Sequence, residues 1–281
     1  MEKFKIRLGP AGLPISLEKN RNTVEGLKLV KKLGLNAMEI EFVRSIYLSK
    51  RLAKEVGKVA KSLGIELSVH APYFVNLLSE SKKTVDASRQ RIIKSLEIAE
   101  ILGAKIVVVH AAYYGKLDKE EAFRKMFEIT MEILEKMKKK GIENTKLTYE
   151  TMAKESQFAG LEELVKLAKS IKDKNFGITV DFAHLYARNN GKINYSQIFD
   201  KIEELKVKHL HSHFSNMKYN LNKKRFIDVH IPINSHPPFK PLAKEILKRR
   251  IEITIISESP ILEKDSLKMK RIFENLGYKF G

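Results

Sequence analysis

Eight short runs rich in β-branched and aromatic residues recur along the chain, and each is followed by a longer stretch of helical periodicity. This alternation limits the fold more than any other feature. The runs are FKIRLG (4–9), NAMEIEF (36–42), IELSVH (65–70), KIVVVH (105–110), KLTYE (146–150), FGITVD (176–181), VKHLHSH (207–213) and IEITIISE (251–258). Between them lie amphipathic patterns such as VEGLKLVKKLG, SRQRIIKSLEIAEILG and EEAFRKMFEITMEILEKMKKKG, each closing on Gly as helices commonly do. Eight such units over roughly 250 residues predict an α/β fold, a single (β/α)8 TIM barrel forming one domain across 1–281. No linker-like or low-complexity tract divides it, and the longest irregular stretch, 217–239, reads as a large loop after the seventh strand.

In such barrels the active site is built at the C-terminal ends of the strands. From the third strand onward those ends are His70, His110, Glu150, Asp181, His213 and Glu258. His, Asp and Glu fill 42 of 281 positions. With a one-residue float in each boundary, six such ends in a row arise by chance on the order of a few times in a thousand. Carboxylates and imidazoles at the ends of buried strands are costly unless paired or metal-bound.

Two further pairs belong over the same mouth. Asp181 and His184 lie three residues apart at the turn after the sixth strand, where they could form a hydrogen-bonded pair or bind neighbouring metals. Asp228 and His230 alternate as in an extended segment and so face one side. His209, His211 and His213 share one parity on the seventh strand; His213 is the expected ligand, the deeper two are candidates for interior packing, and His236 is an ordinary loop residue. The chain has no cysteine, so disulfides and thiolate sites are excluded and any metal falls to His and carboxylates. Nine such residues exceed the needs of one ion, and the donor set suits zinc, manganese or iron in a multinuclear site.

The formal charge is +19, which points to a polyanionic partner. Heat adaptation is an equally good account of the charged fraction, but not of its imbalance. No run is apolar enough to cross a membrane and the start lacks a signal-peptide pattern, so a cytoplasmic protein is expected.

The motifs HAPYFVN (70–76), SRQRIIKSLEIAEILGAKIVVVH, Glu150, VDFAH, the His213 region, DVH and ESP (258–260), in this order and spacing, resemble the endonuclease IV type of apurinic/apyrimidinic (AP) endonuclease. The resemblance implies a TIM barrel with three metals, usually zinc, that cuts double-stranded DNA 5′ to abasic sites and leaves a 3′-hydroxyl by means of a metal-bound hydroxide. It implies that His70, His110 and Glu150 hold one metal, that Glu150 bridges to a second held by Asp181, His213 and Glu258, and that His184, Asp228 and His230 hold the third. Glu150 and Glu258 are the expected catalytic carboxylates, zinc the expected cofactor with manganese or iron possible in part, and a monomer the expected state. Tyr73, Phe74 and Arg44 match positions that the family inserts into the DNA stack, with packing beside Pro72 as the alternative for the aromatics. Lys223, Lys224 and Arg225, interleaved with aromatics in KYNLNKKRF, are expected to contact phosphate unless they form a solvated loop.

The residues after His110, Glu150 and His230 depart from the family's Pro-Gly, small-residue and His/Gly patterns, sparing every expected ligand. They leave two rivals: a sugar isomerase or epimerase on the same barrel, for which Glu41 on the second strand also speaks, and a non-catalytic DNA-binding barrel.

Overall fold

The computed structural model describes residues 4–18 and 21–280. Twelve strands run in chain order: β1 (Ile6–Pro10), β2 (Ala37–Glu41), β3 (Glu66–His70), β4 (Ile106–Val109), β5 (Ala112–Tyr113), β6 (Lys146–Glu150), β7 (Gln157–Phe158), β8 (Phe176–Asp181), β9 (Leu210–Phe214), β10 (Asn216–Asn220), β11 (Arg225–Ile231) and β12 (Ile253–Ser257). Eight form one parallel sheet ordered β1-β12-β9-β8-β6-β4-β3-β2. A parallel bridge between Ala11 and Glu39 and the bond from the Gly12 N–H to the Glu39 carbonyl (2.9 Å) bring its two ends together. The expected barrel is therefore present, and its eight strands are the eight runs read from the sequence, with bounds that agree to within about three residues: those at 146–150 and 176–181 match fully, and β1 and β9 each run one residue further.

The helices cover the barrel as their patterning requires. Thr23–Lys32 buries Leu27 and Val30, and Lys119–Lys139 buries Met126, Ile133 and Met137. Lys82–Leu102 begins six residues earlier than its apolar pattern suggests, because Ser81 caps its first turn by accepting from the Thr84 N–H. Gly103 closes it in the left-handed conformation that Gly adopts without strain (φ 72°). Among the described residues no helix is long and apolar enough to cross a membrane.

The stretch 217–239 is not one irregular loop. It opens as an antiparallel hairpin of β10 and β11 and only then becomes irregular. The hairpin leans on the short helix Phe182–Arg188, where Met217, Ala183 and Ala187 share an apolar cluster with Phe226 against it. A second small ribbon, β5 with β7, joins the loops that follow β4 and β6.

Barrel closure is tightest at Gly9 in β1. An added Cβ there would stand 1.9 Å from the Ala37 carbonyl oxygen of β2, a backbone atom that cannot swing away. Gly9→Ala is expected to destabilise the protein by roughly 3 kcal/mol, the upper range of overpacking. Urea unfolding would read this as a lower midpoint; an unchanged midpoint would mean that β1 and β2 separate without cost.

Candidate metal centre

The strand ends deliver their side chains to one place. His70, Glu150 and Asp181 are the last residues of β3, β6 and β8; His110 and Glu258 directly follow β4 and β12; His213 lies in β9. Asp181 also caps the helix Phe182–Arg188, accepting from the His184 N–H at 2.6 Å, and that turn swings the His184 ring over the mouth. Asp228 and His230 alternate on β11 and face the same side, as DVH suggests.

The donor atoms fall into overlapping groups, each with all atoms within 4.8 Å of one another: His70 with His110 and Glu150; Glu150 with Asp181, His213 and Glu258; and Asp181 with His184 and His230. Glu150 is the hub. Its Oε2 lies 2.8 Å from His110 Nε2 and 3.3 Å from His70 Nε2, and its Oε1 lies 3.0 Å from His213 Nδ1 and 3.3 Å from His184 Nδ1. The first two groups coincide with two of the ligand sets implied by the resemblance. In the third, Asp181 joins His184 and His230, while Asp228 stands 3.3 Å from His184 Nε2 and 3.9 Å from His230 Nε2 and is shared with Lys154 at 3.4 Å.

The rings are oriented as metal ligands would be. His70 Nδ1 donates to the Ala71 carbonyl (2.8 Å), His184 Nδ1 to the Thr151 carbonyl (2.9 Å), and His230 Nδ1 meets the Ser215 hydroxyl (2.8 Å). Each keeps Nε2 for the mouth, the usual outer support of a ligating imidazole. Asp181 Oδ2 is buried without a hydrogen-bond partner, although it faces the other donors, and His110 Nε2 meets the Glu150 carboxylate at 2.8 Å. Divalent cations would satisfy these atoms, so the donor set fits bound metal.

Charge is strongly organised here. Burial pushes the Glu150 carboxyl up, but His213 and His110 outweigh it and hold Glu150 well below the usual carboxylate range. Burial, with Glu150 and Asp181 adding to it, drives Glu258 well above that range against the pull of His213. Burial lowers His70, but Glu41 and Glu150 raise it further, to about 10. His184 and His213 are raised in the same way, whereas burial lowers His110 and His230.

Three further residues complete this site, and of them only Glu39 escapes the reading of the sequence. Glu39, fully buried in β2, has its Oε2 accepting from Ser68 Oγ (2.7 Å) and from His211 Nε2 (2.9 Å), and its Oε1 2.8 Å from His213 Nε2. Glu39, His211 and His213 make a further group whose donor atoms lie within 4.8 Å of one another, and with Oε2 met by two donors Glu39 also supports His213 from beneath. His211 is thus an interior residue, as is allowed for it in sequence; His209 sits lower, against Thr254 (2.9 Å). Glu41 lines the cavity of about 530 Å³ at the mouth, and its Oε1 is buried without a partner. The alternation in MEIEF was the available signal, since it places both glutamates on one face.

Around the rim, Tyr73 and Phe74 are 46% and 60% exposed, and the Tyr73 ring rests against His70 and His110 with centroids 5.2 and 5.4 Å away. The Tyr73 N–H donates to the Val43 carbonyl (3.2 Å), which brings exposed Arg44 alongside. Lys223 and Lys224 are exposed at the turn of the β10–β11 hairpin and half-buried Arg225 opens β11; none of the three lines the cavity.

A model of the family described as xylose isomerase-like TIM barrel matches residues 27–274. The chain belongs to this family. An uncharacterized protein of Methanocaldococcus jannaschii is 32% identical to this xylose isomerase-like barrel over 98% of the chain and 99% of its own length. A probable endonuclease 4 of Mesomycoplasma hyopneumoniae is 30% identical over 53% of the chain, which spans 55% of that relative. Among solved structures, endonuclease IV from Thermus thermophilus (TM-score 0.70, 20% identity, 95% of this chain and 98% of that one) and a D-tagatose 3-epimerase-like protein (0.69, 24%, 90% and 94%) share the fold. The resemblance to the endonuclease IV type carried by the motifs is upheld by these relatives.

Two outcomes follow from the electrostatics. His70, His184 and His213 are held protonated at neutral pH without metal, so a cation that binds them must expel their protons and bind more weakly as pH falls. Zinc titration calorimetry in two buffers of different ionisation heat should record net proton release; none would mean that these rings are not ligands. Burial, with Glu39 and Glu150 adding to it and His70 and His213 opposing, pushes Glu41 up to about 7. A raised carboxyl stabilises the fold fully below its unfolded value of 4.5, and that contribution is lost as pH rises through about 7. Metal-free Glu41→Gln should therefore gain stability over the parent as pH rises from about 4.5 to about 7, by up to about 1.4 kcal/mol per pH unit. Parallel melting curves across this range would rule out a raised Glu41.

Proposed function

We propose that the chain is a metal-dependent endonuclease, acting as a cytoplasmic monomer, that hydrolyses the phosphodiester on the 5′ side of abasic sites in double-stranded DNA. The convergence of nine His, Asp and Glu side chains into overlapping groups joined through Glu150 and Asp181 carries this reading. His70, His110 and Glu150 would hold one zinc; Glu150, Asp181, His213 and Glu258 a second; His184, Asp228 and His230, with Asp181 in reach, a third. Bound metals supply positive charge to the phosphate oxygens and to a water that then ionises near neutral pH.

In the hydrolysis a water oxygen bonds to phosphorus, the bond from phosphorus to O3′ breaks, and the proton lost by water is matched by one gained at O3′. Glu258, 12% exposed and lining the cavity, would carry that proton, and buried Glu150 would hold the neighbouring groups in register. Tyr73 and Phe74 offer open rings on which bases at a lesion can stack, with Arg44 beside them.

A second reading, an epimerase or isomerase acting on a sugar, is favoured by one observation. Glu41 offers an unpartnered carboxylate to the cavity while no Lys or Arg lines it, as a neutral polyol would prefer.

Electrophoresis of a duplex carrying a stable abasic analogue decides between them. Incision that chelator abolishes supports the endonuclease; no incision by metal-loaded protein that interconverts ketoses supports the epimerase. Replacing Asp228 and His230 with Ala should remove about one metal per chain and lower incision at least about 100-fold, since charge stabilisation counts most in the transition state. His184→Ala should do the same, and the triple variant should add little, because groups that act as a unit are not additive. Retained metal and incision would leave His184 a structural histidine.

A further inference from the structure

Part of the positive surplus of this protein, seven of nineteen charges, gathers on one face away from the mouth. No Lys or Arg lines the cavity at the mouth. The opposite end of the barrel, where the strands begin, opens into two cavities of about 860 and 620 Å³ whose walls carry twelve basic and five acidic side chains. The cavities share Arg7, Glu66 and Lys105, so they form one continuous face.

The acidic side chains there are largely committed. Glu66 pairs with Arg7 (3.0 Å), Asp173 with Lys138 (2.8 Å) and Glu204 with Lys169 (2.9 Å), and Glu100 accepts from Asn144 (2.7 Å). The basic ones are not. Among the described residues, Lys105, Lys146, Lys172, Lys174, Lys206 and Lys208 are exposed and have no ion-pair partner. Arg7 Nη1 is buried at this end without a hydrogen-bond partner. Helix C-termini also point this way, but at about half a negative charge each they offset only about four of the seven surplus charges.

The chemistry of the face selects its occupant. Lysines are point charges that bind phosphate without reading sequence. A membrane surface would call for aromatic or large aliphatic anchors among them. Among the described residues, Val207 is the only exposed large apolar residue lining this face, while Tyr47, Tyr73, Phe74 and Tyr113 stand at the other end. We propose that this face is a second, sequence-independent binding surface for the phosphate backbone of duplex nucleic acid, separate from the mouth. It goes beyond the incision reading and does not depend on it, because backbone binding here needs neither metal nor lesion.

The test uses an undamaged, fluorescently labelled duplex, the chain in chelator, and anisotropy across a salt series. Replacing Lys146, Lys174 and Lys208 together with Glu is expected to weaken binding at least tenfold at about 50 mM salt. The slope of log affinity against log salt should flatten by about 3, close to 0.9 per lost phosphate contact. A Lys→Gln triple at the same positions should give the same direction with a smaller loss, which keeps the test open if charge reversal unfolds the protein. Unchanged affinity and slope in the Gln triple would overturn the proposal. So would loss of binding to phosphatidylserine vesicles in that triple with duplex binding retained, which would assign the face to a membrane. Incision assays of the same variants are separate, so a parent that never cuts DNA leaves this result intact.

Discussion

Glu150 is an anion sealed inside the barrel, and a buried anion is tolerated only when charge and hydrogen bonding meet it from several sides. Four histidines do so, from the end of β3, from the residue after β4, from β9 and from the helix that follows β8. Once they are gathered, the other carboxylates follow: Asp181 and Glu258 share the space with His213, and Glu39 closes over its far side. The site is a shell of alternating charge in which removing one member leaves another unpaired. Each strand must therefore stop where its last side chain can reach the hub, which ties barrel geometry to donor geometry.

How much of this was legible in the sequence depends on whether a residue is placed by a period or by a turn. His70, Glu150 and Asp181 end runs of β-rich residues, so their position at the mouth follows from counting along the strand. Asp228 and His230 face together because a strand repeats every two residues. The hairpin that carries them was hidden, since its turn has no Gly or Asn-Gly signal and instead places Lys224 at φ 48°. Glu41 ends β2 and was legible as a strand-end carboxylate, but Glu39 was hidden for a different reason: it lies within β2, and its value comes from neighbours in β3 and β9 that are distant in sequence. Net charge was plain in the composition, but the share of it gathered at the strand-start end emerges only when the loops are assembled.

Loops that depart from the endonuclease IV pattern are held by contacts of their own. Arg188 Nη1 donates to the Met152 (3.2 Å) and Lys154 (2.6 Å) carbonyls, and the Ala112–Tyr113 strand pairs with Gln157–Phe158. A guanidinium and a two-stranded ribbon thus do what close-fitting small residues would do, and Thr151 keeps its carbonyl in place for His184. The departures change the floor and walls around the donors while the donors stay where the strands put them.

The β10–β11 hairpin bears Asp228 and His230, and it rests on the barrel through a small apolar patch instead of entering the sheet. A barrel that lost this segment would keep its eight strands, its hub and two of its donor groups. A lineage could thus acquire or discard the third group by insertion or deletion of some sixteen residues between β9 and β12 (216–231), with the older part of the molecule intact. A barrel with two donor groups and one with three would then be variants of a single body plan that differ in one detachable arm.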